Sequence, residues 1–432
     1  MVEYAVFKYL WLIAVLPKMV QLPILGAILI CLYMKDCPKQ ALKFDFRADR
    51  YFTLLIVCNA VYGFSIAVNA LSGQYELSRI LAACNTFAIT CVAFGFYHFY
   101  STADLEVERV EQYMFFNMNI LFGLCVLYWL IGSKGNLPFI GQLSGWDKVI
   151  KDVNIGGVDT TRFLGYLEYS NMTVFMYLYC YAFSVNYLSK KVPKVVSLIV
   201  EVLYALPLAA AHSRTGVACA IAMTAVSLVL TKIDCVTDFY LKNKGKIWGL
   251  GIAALAVICL VCYRPIGAVL QRILSYRAGS TATRSIIYGE SIGKMLSQSP
   301  VLGCGIKAII PKLGLPYGSH STYIGMFYKA GILGGTIYLI ASLTAIFGII
   351  RRKENSKFDI LMSFTFLALF AFAVLEDIDG ANWNIVIFMS LMAACVRHGH
   401  GAADYKQAES QHGEAKKICK QNLTIRWKGE AK

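Results

Sequence analysis

Three side chains in this sequence have the type and setting to hold a phosphate and move a proton. Arg214 sits in "AHSRTG", a turn so short that an apolar run ends at Ala211 and another begins just after it. A charge at a membrane boundary is costly unless paired or used, so the turn argues for a role for that guanidinium. Arg284 ends the run "YRAGSTATR", which also carries Arg277. His320 stands in "GSHSTY", where a glycine-marked polar loop turns into an apolar segment. Arginine offers a planar fork that grips phosphate oxygens in pairs and keeps its charge. Two arginines can therefore neutralise a diphosphate leaving group without a metal ion. Histidine, with an unperturbed pKa of about 6.5, suits a general base that takes the proton of an acceptor hydroxyl. Ser319 or Ser321 would cap the following helix better than His320, which favours a chemical role for the ring.

Other residues compete for these roles. His212 lies two residues before Arg214 and is the alternative base. Arg162, in "RFLGYLEYSN", Arg272 and Arg277 have the simpler reading of cations reaching to lipid headgroups. Asp377 and Asp379 form a D-x-D in "LEDIDGAN". Such a pair can hold Mg²⁺ against phosphates, but a solvated acidic turn is the plainer reading. Either carboxylate is also a candidate to assist His320. Lys329 lies deeper in the apolar segment, and the expectation is an ion pair with an acid of a neighbouring span, with Glu201 as candidate. Its other reading is a further contact to the diphosphate.

The elements that must position these residues are apolar helices. The chain has 432 residues, 57% hydrophobic and 16% charged, where a soluble protein carries about a quarter charged residues. Runs such as Thr53–Leu71, Ile247–Tyr263 and Thr336–Ile350 approach or reach the length needed to cross a bilayer core of about 30 Å. Spans are expected near 9–34, 51–73, 78–100, 113–132, 170–188, 195–212, 214–231, 247–263, 321–349, 358–376 and 382–397. The fold class is an all-α polytopic transmembrane bundle of about 11–12 spans, the higher number applying if Pro17, Lys18 and Pro23 split the first segment. No small-residue cleavage site precedes that segment, so no signal peptide is expected.

The net charge of +15 collects in short loops: Lys35 to Arg50, Lys190 to Lys194, Lys232 to Lys246, and Arg351 to Lys357. Such loops belong on the cytoplasmic side. They show no basic stripe interleaved with stacking aromatics, so nucleic acid is not an expected partner. Most of the 14 cysteines lie in apolar runs or cytoplasmic segments, and only Cys304 falls in an outward loop, which leaves no external disulfide framework. Residues 1–263 are read as spans with an outer loop at 133–170, residues 264–320 as a large outward loop, 321–397 as the last spans and 398–432 as a cytoplasmic tail. Within the large loop, Arg284–Pro300 reads as an amphipathic helix with Tyr288, Ile292, Met295 and Leu296 on one face. It would lie on the membrane surface or cap the bundle.

Four blocks, "RFLGYLEYSN", "AHSRTG", "STATRSIIYGESIGKMLSQSPVLGCGI" and "GSHSTYIGMFYKAGILGG", resemble in order and spacing the signature blocks of the O-antigen ligase and O-antigen or capsule polymerase superfamily. The resemblance covers roughly residues 160–340. It implies a GT-C-type membrane glycosyltransferase of the bacterial cytoplasmic membrane, active on the outer face and independent of metal, nucleotide sugar or other cofactor. The implied donor is a glycan on undecaprenyl diphosphate, and the acceptor is a glycan or lipid-anchored hydroxyl. Membrane lipids and a chain-length regulator are the other implied partners. Arg214 and Arg284 would hold the diphosphate, His320 would be the base, and helix 284–298 would form a lid. The form "HSTYIG-x-x-YKAG" is closer to the polymerases than to the ligases, which often carry His-Asn. Polymerisation of O-antigen or capsular polysaccharide is therefore the first expectation, and transfer to lipid A core of lipopolysaccharide or another surface acceptor is the alternative. A different class, a flippase for lipid-linked sugars, would need midplane charges such as Lys18, Glu201 and Lys329 on helices broken in paired halves, and the two halves show no matching breaks.

Overall fold

The computed structural model describes residues 2–36, 49–103, 105–131, 150–155, 158–261, 278–354 and 356–394. The chain opens with two short helices, α1 (Ala5–Lys8) and α2 (Leu10–Val15), and then the long α3 (Lys18–Asp36). The break falls at Leu16, which is extended (φ −69°, ψ 148°) because Pro17 disfavours helical backbone before it. The expected segment 9–34 is therefore not one straight span. Phe7, Leu10 and Ile13 are buried, and α1 and α2 pack on α6 (Val107–Ile131) rather than lying free on a surface.

The helices α4 (Arg50–Leu71) and α5 (Leu77–Thr102) precede α6, and Asp49 caps α4 by accepting from the Phe52 N–H. After α6 comes a hairpin of β1 (Ile150–Ile155) and β2 (Val158–Phe163), pairing Lys151 with Arg162. The next helix, α7 (Met172–Lys191), is buried almost along its whole length, including Tyr177, Tyr179 and Tyr181, and packs against α6. The expected span 195–212 is two helices, α8 (Lys194–Leu203) and α9 (Leu206–Ala210), parted by a turn just before Pro207. Then follow α10 (Arg214–Thr231), α11 (Asp234–Val261) and α12 (Ala278–Gln298). A minimal hairpin, β3 (Ile309–Ile310) with β4 (Leu315–Pro316), leads to α13 (Thr322–Arg351), α14 (Lys357–Phe372), a 3₁₀ turn at Ile378–Gly380 and α15 (Asn382–Ala394).

The structure is mostly helical, but the two hairpins correct the all-α expectation. The first alternates β-branched residues such as Val153, Val158 and Thr160, which favour pleated backbone over helix. Five described helices, α3, α4, α5, α6 and α13, are long and apolar enough to cross a membrane, or six with α10 and α11 taken as one bent span. Eleven segments are expected from the sequence; of the remaining ones, α7 is a tyrosine-rich interior helix, α8 and α9 are short, α10 and α11 form the bent pair, α14 has 16 residues and α15 is described for 13.

The two ends of the bundle differ in chemistry. At one end the basic loops are latched by acids: Lys190 to Glu111 at 2.8 Å, Lys232 to Glu201 at 2.8 Å, Lys244 to Glu354 at 2.8 Å and Lys357 to Asp234 at 2.5 Å. The other end gathers residues 164–171, 212–213, α12 and the turn 376–380. There α13 is interrupted at Gly331 (φ 65°, ψ −167°). The loop after α12 fills the break: Ile332 N–H donates to Pro300 O at 2.8 Å, and Gly305 N–H donates to Lys329 O at 3.0 Å. Irregular backbone in a membrane bundle is tolerated where protein groups satisfy it in this way.

Candidate functional site

The site is built on the turn that joins α14 to α15. Glu376 is nearly fully buried and takes the Arg284 guanidinium from α12 and the Asn171 amide from the start of α7 on one oxygen, Oε1. Its second oxygen, Oε2, faces His320 Nδ1 at 3.9 Å. The backbone of this turn is stitched to the start of α13. Thr322 Oγ1 donates to Glu376 O at 2.8 Å and accepts from Ile378 N–H at 2.9 Å.

His320 has a left-handed backbone (φ 62°), a conformation that costs a residue with a Cβ about 1–3 kcal/mol. The surroundings hold it there. Tyr288 Oη donates to the His320 carbonyl at 2.6 Å, and the next N–H, of Ser321, donates to Asp377 Oδ1 at 3.0 Å. Ser321 is the helix cap, accepting from Ile324 N–H at 3.3 Å, as expected from its type. His320 is thus free of a capping role, and its ring is 36% exposed at the edge of an open cleft.

That cleft, of about 390 Å³, is lined by Tyr169, Ser170, Asn171, Ser319, His320, Glu376 and Asp377 among others. Hydroxyl, amide and carboxylate groups on a concave surface are the groups that hydrogen-bond a sugar. Arg214 begins α10, exposed, directly after Ser213, whose Oγ contacts Asn171 Oδ1 at 3.4 Å. The backbone of Arg214 therefore starts one residue and two hydrogen bonds from Glu376, while its side chain is not among the residues that line the cleft.

Sequence reasoning and structure part at several residues. Lys329 is buried and pairs with Asp379, not with Glu201. Glu201 belongs to the opposite end, where Ser197, Ser227 and Lys232 engage it. The D-x-D does not act as a pair: Asp377 takes Lys307 at 3.3 Å while Asp379 takes Lys329. Burial alone would raise the Asp379 carboxyl, but Lys329, Lys307 and Lys18 outweigh it and hold it below the usual carboxylate range. Neither aspartate is the carboxylate facing His320; Glu376 is. Arg162 sits in β2, two residues before Leu164 of the cleft wall. Arg277, the outer-loop residues 132–149 and the tail 398–432 lie outside the described residues. On α12 the buried stripe is Ile287, Ser291 and Met295, whereas Leu296 is exposed.

Two site residues escaped the sequence reading, Glu376 and Asn171. The available signal was charge parity: a cluster of arginines around a membrane boundary needs acids, and the turn "LEDIDG" is the acidic segment of that kind. Close by, Glu168 is buried with no hydrogen-bond partner for either oxygen among the described residues. Burial pushes its carboxyl up to about 7, with Lys18 acting the other way.

No protein-family model matches this chain, and no curated protein matches it in sequence.

Proposed function

We propose that this protein is a metal-independent membrane glycosyltransferase that polymerises an O-antigen or capsular repeat unit carried on undecaprenyl diphosphate, at the outer face of the cytoplasmic membrane. The observation that carries the reading is the meeting of Arg284 and His320 on one buried carboxylate at the edge of a polar cleft. These residues lie 36 positions apart on separate elements, and both belong to the blocks that carry the resemblance.

In the proposed reaction the acceptor hydroxyl lies in the cleft with its proton towards His320. Its oxygen attacks the anomeric carbon of the donor as the histidine takes the proton. The bond from that carbon to the diphosphate breaks, and the electron pair leaves with the diphosphate, so the configuration inverts. Arg284 neutralises the charge that develops on the leaving group, and Arg214 meets it from the α10 side. Arg284 has donors beyond the edge facing Glu376, so phosphate can approach as the ion pair opens.

The test is transfer by purified protein in liposomes supplied with undecaprenyl-diphosphate-linked oligosaccharide, with products resolved by length. His320→Ala and Arg284→Ala are expected to lower the rate at least about 10²-fold, and Arg214→Ala by about tenfold or more. Normal products from a folded His320→Ala protein would remove the base assignment. In cells, deletion leaving single repeat units on the anchor marks a polymerase, and long chains left on the lipid carrier mark a ligase.

A further inference from the structure

We propose that Glu376 is a switch between Arg284 and His320: a diphosphate that engages Arg284 displaces the carboxylate, which then accepts the Nδ1–H of His320 and completes the base. This rests on the reading of the site as one that takes a diphosphate.

The geometry carries it in four parts. First, Glu376 is already divided between the two groups. Oε1 holds Arg284 and Asn171, while Oε2 points at His320 Nδ1 from 3.9 Å, beyond hydrogen-bond distance. Second, the carboxylate is 2% exposed and, stripped of its arginine, keeps only the Asn171 amide, so a further donor close at hand stabilises it. Third, the backbone on both sides is fixed, by Thr322 on Glu376 and by Tyr288 and Asp377 on His320. A side-chain rotation is enough to close the gap. Fourth, the other charged and titratable groups around His320 are engaged. Asp377 holds Lys307 and the Ser321 N–H, and Tyr288 from α12 is spent on the His320 carbonyl. Tyr169 also lines the cleft.

The consequence is an ordered activation. With Nδ1–H given to Glu376, the neutral ring presents Nε2 as the proton acceptor. The acceptor's proton moves to Nε2 as its oxygen bonds the anomeric carbon and the diphosphate leaves with the electron pair. The imidazolium is balanced by Glu376 and later returns the proton to water. Without a donor, Glu376 stays with Arg284 and the ring lacks its orienting partner. Glu376 is here a positioning residue, since it acts through the histidine.

The test follows the ring itself. Carbethoxylation of His320 by diethyl pyrocarbonate is measured against pH on the full-length protein in detergent, subtracting the His320→Gln background, with undecaprenyl diphosphate as probe. Addition of the probe is expected to raise the pH midpoint of modification by about one unit, the effect of bringing one carboxylate onto a histidine. Arg284→Gln is expected to show the raised midpoint with no probe present, and Glu376→Gln to show no switch-dependent shift in either condition. Probe that binds by calorimetry yet leaves the midpoint unmoved, or moves it equally in Glu376→Gln, overturns the switch and leaves the diphosphate reading standing. An Arg284→Gln protein with the wild-type midpoint also overturns it. Probe that does not bind removes both.

Discussion

Gly331→Ala should be among the most damaging single-methyl additions in this protein. Gly331 occupies a backbone region (φ 65°, ψ −167°) that residues with a Cβ almost never adopt. Forcing alanine into it costs about 1–3 kcal/mol. The added methyl would also stand 2.2 Å from Val301 O and 2.5 Å from Gly303 N. Both are backbone atoms held by their own hydrogen bonds, so they cannot swing aside, and overpacking of this kind costs about 1–3 kcal/mol more. The sum is about 2–6 kcal/mol. Gly348→Ala, near the far end of the same helix, is the control: its Cβ meets nothing within 4 Å, and alanine is the better helix former by about 1 kcal/mol. Unfolding of a membrane protein is commonly irreversible, so the assay is the folded fraction surviving a temperature series in detergent, read by size exclusion. At about 2–4 °C per kcal/mol, a combined difference of about 3–7 kcal/mol should separate the two variants by roughly 6–28 °C. Midpoints within about 2 °C of each other would show that loop 300–305 is not wedged in the α13 break.

The buried pair of Lys329 and Asp379 gives a second expectation: Lys329→Met alone leaves an uncompensated carboxylate and should cost about 3–5 kcal/mol, and the double change Lys329→Met with Asp379→Leu should recover much of it in the same thermal assay. Because the Asp379 carboxyl is depressed in the fold, its contribution is present above the unfolded value of about 3.9 and is lost as pH falls towards about 2, so Asp379→Asn should flatten the acid limb of stability there. Glu168 works with the opposite sign. Its folded pKa is raised to about 7. The folded state therefore holds the extra proton, and stability falls as pH rises from the unfolded value of about 4.3 to about 7, by about 3–4 kcal/mol in all. Glu168→Gln should accordingly stabilise the protein by up to that amount at pH of about 8 and change little at pH of about 4, and equal midpoints at both pH values would refute the buried, unpaired carboxyl.

How much of this was legible beforehand varied with the physical scale of the feature. The apolar runs of α4, α5, α6 and α13 lie close to their expected positions, because hydropathy over about 20 residues is a local property of the chain. A serine cap beside His320, Ser319 or Ser321, followed from side-chain type and the apolar run after it, and the structure selects Ser321. On α12 the period was right but the phase was off, since Ser291 is buried through its own bonds to Ile287 O and Gly318 N–H, which no hydrophobicity pattern registers. The break in α13 was hidden for a related reason. An apolar run gives no sign of a glycine at φ 65° whose freed bonds are taken by a loop some 30 residues earlier in the chain.

Ion pairing was the least legible level, and it matters most for the chemistry. The sequence displays Arg284, Lys307 and Lys329 on one side of the account and Glu376, Asp377 and Asp379 on the other, but which meets which is decided by how α12, α13 and the turn after α14 pack. In the folded chain the matching is one to one. A phosphate approaching this end therefore finds Arg284, Lys307 and Lys329 each already holding a carboxylate; the two ammonium groups can serve it only by exchange, whereas the Arg284 guanidinium has further donors and loosens its hold on Glu376 as a second anion arrives. Lys329 is too deeply buried for such an exchange, and Lys307 would surrender the Asp377 that also anchors the Ser321 N–H. Arg284 is the cation whose release costs least, because its carboxylate has a second titratable group waiting 3.9 Å away. On the proposed reading, the same arithmetic that would make Arg284 the site for a diphosphate would make His320 the recipient of the carboxylate it gives up.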